Sequence, residues 1–159
     1  MKPIGIIHSP FKSKKDMPIQ SVGAKEIKGF IEIYPEFLPG IKDLDGFSHI
    51  YAIYQFHKNK DYKLITRPFL DNTERGVFST RAPKRPNPIG LSIFKIESIK
   101  NEKIYVSGID VLDETPLLDI KPYVSKFDVI ENTKNGWLEN VMHKSENLKS
   151  DDRFWNLAF

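Results

Sequence analysis

Three prolines within six residues, Pro83, Pro86 and Pro88, constrain the chain more than any other feature of its sequence. They lie in residues 76–92, GVFSTRAPKRPNPIGLS, with Arg81, Lys84, Arg85 and Asn87 between and beside them. Each proline fixes its own φ, removes a backbone donor and restricts the residue before it to extended geometry. Ala82, Arg85 and Asn87 are therefore held extended, and the segment can be neither a helix nor a central strand. Two readings follow. One is a stiff rail of guanidinium and amide groups, ordered before a ligand arrives and suited to a planar anion. The other is a rigid surface connector whose charges are incidental.

With 159 residues, the chain fits one domain large enough to bury a core. A 40% hydrophobic share with 12% aromatics is that of a folded protein, and a net charge of +3 is too small to indicate nucleic acid by itself. The distribution of charge says more. Arg67, Arg75, Arg81, Lys84 and Arg85 crowd together, opposed there only by Asp71 and Glu74, and Lys12, Lys14 and Lys15 form a second basic group. The absence of cysteine excludes disulfides, thiolate metal sites and cysteine nucleophiles. The N-terminal MKPIGIIHSPF lacks the apolar region of a signal peptide, and no apolar run approaches the roughly 20 residues that span a bilayer. The expected location is cytoplasmic.

Strand patterns fill the first 123 residues. Residues 4–8 form a short apolar run ended by Ser9-Pro10. In residues 26–34, Ile27, Gly29, Ile31 and Ile33 alternate with Glu26, Lys28 and Glu32. Residues 48–57, SHIYAIYQFH, are nearly apolar throughout and read as one strand covered on both sides. Residues 91–99 and 103–109 read as a hairpin around Lys100-Asn101-Glu102, and residues 117–123 as a further strand. Residues 35–45 hold a short helical turn. The expected fold is mainly β, a small antiparallel β-barrel with short helices at the C-terminal end. The pattern changes near residue 125. A barrel domain over 1–125 is expected to be followed by an extension over 126–159, comprising a short amphipathic helix over 136–144 and an aromatic tail (Phe154, Trp155, Phe159) that docks on the barrel.

Several chemistries are poorly served by this chain. If residues 48–57 are one strand, His49 and His57 stand roughly 26 Å apart and cannot share an ion whose ligands lie about 2 Å away; no metal is expected. No dinucleotide or P-loop glycine motif is present. Ser9 and Ser48 adjoin histidines, but neighbours on a strand point to opposite faces. His57 is either a site residue or a strand-end histidine in contact with water. The segment DVLDETP, residues 110–116, is either a plain acidic turn or a ligand loop. Asp119, Lys121 and Tyr123 share one strand face, which is either solvent-exposed with a salt bridge or a polar cavity.

Four blocks carry a resemblance: IGIIHSPF (4–11), DLDGFSHIYAIYQFH (43–57), GVFSTRAPKRPNPIGLS (76–92) and GIDVLDETPLLDIKPY (108–123). Their order and content resemble the TsaA-like, or TrmO, proteins. The resemblance implies a small, mostly antiparallel β-barrel that forms a homodimer; no membrane and no metal partner are expected from the residues themselves. It also implies S-adenosyl-L-methionine as cofactor and methylation of N6 of threonylcarbamoyladenosine at position 37, in the tRNA anticodon loop. It places the cofactor pocket at Pro18, Ile19, Gln20, His57, Lys58, Arg81, Leu91, Leu112, Asp113, Glu114 and Thr115. Asp119 and Tyr123 are then candidate proton acceptors, Lys121 and Asn87 position the threonylcarbamoyl group, and Lys84, Arg85 and Asn87 meet RNA. The alternatives are a non-catalytic module binding S-adenosylmethionine or RNA, and a methyltransferase for another RNA or a small molecule. Where the family's turn commonly reads D-G-T-P, this chain has Glu114 in the glycine's place. That turn must avoid positive φ or carry strain.

Overall fold

The computed structural model describes residues 1–13, 17 and 24–141. Among the described residues there are eight strands: β1 (Gly5–His8), β2 (Lys28–Ile33), β3 (His49–Gln55), β4 (Ile65–Thr66), β5 (Arg75–Gly76), β6 (Ile89–Lys100), β7 (Lys103–Ser107) and β8 (Thr115–Pro122). Six of them close into a barrel in the order β1-β2-β7-β6-β3-β8, every neighbouring pair antiparallel. β4 and β5 form a separate two-stranded ribbon. The expected antiparallel barrel is what the chain forms.

Period-2 patterning explains the closure. Ile7, Ile31, Ile50, Phe94, Ile104 and Leu117, each fully buried, come from six different strands and meet inside. Lys28 and Glu32 point outward from β2 while Ile31 and Ile33 point in, as alternation requires. The β6–β7 turn places Asn101 at φ 48° and Glu102 at φ 65°. Positive φ at both central residues is the type I′ geometry that matches strand twist. Residues 35–45 supply two 3₁₀ turns, Pro35–Ile41 and Leu44–Gly46.

Three expectations need correction. β3 ends at Gln55, so His57 lies beyond the strand. Nor is β3 covered equally on both sides. Ile50, Ala52 and Tyr54 are buried, but His49, Tyr51 and Ile53 are half-exposed, because the outer face of a single closed sheet is shielded only by loops. The helix expected over 136–144 is, within the described residues, a 3₁₀ helix at Gly136–Asn140. Its turns are i→i+3, with Leu138 N–H donating to Asn135 (3.2 Å) and Val141 N–H to Leu138 (2.9 Å). A one-turn helix α1, Ser125–Asp128, follows β8. Lys14, Lys15 and the aromatic tail lie outside the described residues. No helix among those described is long and apolar enough to cross a membrane.

Candidate functional site

A cleft of about 800 Å³ opens where β3 and β6 meet the proline-rich loop. Its size suits a drug-sized ligand. Tyr51 and Tyr54 from β3, residues 89–93 of β6, and Asp110, Val111, Leu112 and Thr115 before and at the start of β8 form one side. Residues 56–59, 68–70, 78–83 and Arg85 form the other, closed by Trp137 and Leu138.

A polar relay runs along the wall. Ser92 Oγ donates to Asp110 Oδ1 at 2.7 Å, so its single proton is committed there. Tyr54 Oη, 3.1 Å from Ser92 Oγ, is therefore the donor in that pair. Tyr54 is buried, and burial followed by the Asp110 charge pushes its phenol pKa far up, with Arg81 pulling the other way. The phenol thus remains a proton donor, and Asp110 is the carboxylate the relay steadies. Gly90 makes the relay possible. A Cβ there would stand 2.2 Å from the Tyr54 ring.

The proline-rich loop folds around one of its own cations. Arg85 Nη1 donates to the carbonyls of Thr80 (2.9 Å), Val77 (3.0 Å) and, at greater length, Ala82 (3.4 Å). Its guanidinium also sits 5.9 Å from the centre of the Phe78 ring. Lys84, only 9% exposed, pairs with Asp61 at 3.2 Å. Arg75 pairs with Asp71 at 2.6 Å, and that bond holds the Asp71 carboxyl down at about 2. Much of the basic character seen in the sequence is therefore engaged in building the loop. Arg81 and Lys58 line the cleft.

Asp113 faces the N-terminal segment. It accepts from the Lys12 ammonium and, at 3.0 Å, from Ser9 N–H, while its own N–H donates to Phe11 (2.8 Å). Burial pushes its carboxyl up, but Lys12, the Ser9 amide and His8 outweigh that and leave it below the ordinary aspartate value. Glu114 adopts φ 60°, so the turn carries strain that a glycine would avoid.

Among residues singled out from the sequence, His57, Lys58, Arg81, Leu91, Leu112, Thr115 and Arg85 come together around the cleft. Asp113 and Glu114 do not line it, and Pro18, Ile19 and Gln20 lie outside the described residues. Asn87 is exposed on the loop, away from the cleft wall. Asp119 and Lys121 form an exposed ion pair of 3.0 Å on the outer face of β8. Tyr123 packs edge-on against Tyr51, ring centres 5.5 Å apart. Tyr54, Ser92, Asp110 and Trp137 were not among the candidates. The first two looked like ordinary strand residues and Asp110 like part of an acidic turn. Among the described residues no group of three or more His, Asp or Glu side chains is arranged for a metal. His49 lines a different depression, with Lys28 and Lys95.

The model of the tRNA-methyltransferase O N-terminal domain matches residues 6–129. The chain belongs to this family. A probable S-adenosyl-L-methionine-binding protein of Pyrococcus abyssi is 52% identical over 99% of the chain and 86% of its own length. The human tRNA (adenine(37)-N6)-methyltransferase is 35% identical over 95% of the chain, which spans only 37% of that longer protein. The crystal structure of TrmO from Pseudomonas aeruginosa superposes with a TM-score of 0.71 at 36% identity, covering 85% of this chain and 60% of that one.

The cleft's own donor set fits the cofactor of such a protein. Arg81 and Lys58 suit a carboxylate, and Tyr51, Phe56, Phe69 and Trp137 suit a purine ring and a sulfonium cation.

Proposed function

We propose that this chain uses S-adenosylmethionine to methylate N6 of the threonylcarbamoyl-bearing adenosine at position 37 of tRNA. The reading is carried by the juxtaposition, in one aromatic cleft of a family barrel, of Arg81 and of Asp110 held through Ser92 and Tyr54. When bound, the cofactor supplies an electrophilic methyl group on a sulfonium centre.

The residues of the chain do the rest. Arg81 and Lys58 hold the carboxylate end, and the aromatic walls exclude water and fix the plane of the bases. Methylation at N6 releases a proton, and a carboxylate within reach is a competent acceptor. Asp110 takes that role in preference to Asp119 and Tyr123, which do not line the cleft. Pro86 and Asn87, exposed on the loop, meet the anticodon loop, whose unstacked bases and phosphates suit such a rigid edge. The working form is a homodimer. Phe78 (76% exposed), Leu91 (56%) and Ile93 (37%) leave an apolar patch at the cleft mouth that a second copy covers.

The test is incubation of the chain with methyl-labelled S-adenosylmethionine and tRNA with or without the threonylcarbamoyl group. Label should enter only the modified tRNA, at adenosine 37. Equal labelling of both tRNAs removes the proposed substrate. Cofactor binding without any transfer favours instead a binding protein, which is how the Pyrococcus abyssi relative is described.

A further inference from the structure

The family domain ends at residue 129, yet the cleft does not. The 3₁₀ turn at Gly136–Asn140 lays Trp137 and Leu138 along the wall. Asn135 enters that turn with its N–H bonded to Glu139 Oε1 at 2.8 Å. Trp137 is fixed twice over. Its Nε1–H donates to the Ser79 carbonyl at 2.9 Å, next but one to Arg81 in the chain. The Arg75 guanidinium, itself locked by Asp71, lies 5.3 Å from the ring centre. An indole with its N–H satisfied and a cation over its ring is held in a set plane against the cleft.

We propose that Trp137 is a ligand-contacting wall of this cleft, supplied by the segment beyond the family domain, and that it packs against a planar purine ring. This rests on the reading of the cleft as a purine-binding site. Both the cofactor and the target nucleoside carry such a ring, and the indole is equally suited to either.

The chain has two tryptophans, Trp137 and Trp155. In the full-length Trp155→Phe variant, emission therefore reports Trp137 alone. Titration with S-adenosylhomocysteine, and separately with an anticodon stem-loop RNA, should change that emission with the same midpoint as the heat of binding. A response to S-adenosylhomocysteine assigns the ring to the cofactor, and a response only to RNA assigns it to the target base. Trp137→Ala should weaken binding of the responding ligand about tenfold, as for loss of one stacked base. Trp137→Phe, which keeps a ring but loses the bond to Ser79, should lose less. Calorimetric binding of both ligands with unchanged Trp137 emission, together with an unaltered affinity in Trp137→Ala, overturns the proposal. No heat with either ligand overturns the reading of the cleft itself, and the proposal with it.

Discussion

At the scale of single residues, Gly90 is held small by the ring of Tyr54. A methyl group placed 2.2 Å from that ring has no room unless the tyrosine moves, and moving it breaks the bond to Ser92. Gly90→Ala should destabilise the fold by about 1–3 kcal/mol, the usual range for overpacking, measured by urea unfolding. Asp110 is different, because the proposed function makes its carboxylate the proton acceptor. Asp110→Asn keeps the shape but removes the proton acceptor. Methyl transfer in a single turnover should fall by roughly 10²-fold or more, with cofactor affinity within about tenfold. A variant that transfers methyl at the normal rate leaves Asp110 without that role. The relay was illegible in the sequence for a simple reason. Ser92 and Asp110 are 18 positions apart and meet only because β6 pairs back with β7, delivering residues 108–110 beside it.

The proline-rich loop is the element whose meaning changed most. Its stiffness was readable from the prolines alone, but its charges were not. Arg85 faces inward, its Nη1 shared among three carbonyls, two of them at close range. Arg85→Ala should therefore act as a folding lesion of the loop. Hydrogen bonds from a charged group carry about 1.5–3 kcal/mol, so cleavage by protease within residues 76–88 should speed up while the salt slope of tRNA binding stays as in the wild type. Arg81→Ala should weaken cofactor binding at least tenfold, measured by calorimetry. If Arg85→Ala instead lowers the salt slope by about one unit, its contact is with phosphate. The strand elements were easier. Alternation in residues 26–34 and the polar turn around Lys100-Asn101-Glu102 each fix a local geometry. The C-terminal turn was harder. A helical spacing of apolar residues over 136–144 says nothing about Trp137 being tied to Ser79, 58 positions away.

For the molecule as a whole, acid should loosen the tie between the N-terminal segment and the turn before β8. Asp113 ties the N-terminal segment to the turn before β8, and its carboxyl lies below the ordinary aspartate value in the folded state. A depressed value means the folded state holds its charge more tightly than the unfolded chain does. The resulting stability is present above the unfolded value of about 3.9 and disappears as pH falls through the folded one. Thermal melts of the wild type should drop between about pH 4 and that lower value. Asp113→Asn should be less stable at pH 7 and should lose less of its stability over that acid window. A parallel pH profile for the two proteins would move the acid sensitivity elsewhere.

What the sequence determined alone was whatever depends on neighbours in the chain: strand alternation, the stiff loop, the absence of thiol chemistry, and blocks specific enough to mark a family. Only the tertiary structure decided which charges are tied up away from the cleft and which border it. Lys84 and Asp113 carry the same charge as Lys58 and Asp110. The first two are engaged by Asp61 and by the N-terminal segment, and the second two border the cleft, as do Arg81 and Arg85. Residue type sets what a side chain can bind. Tertiary packing sets what it meets, because the contacts that bring Ser92 to Asp110 and Trp137 to Ser79 join stretches that no local pattern connects.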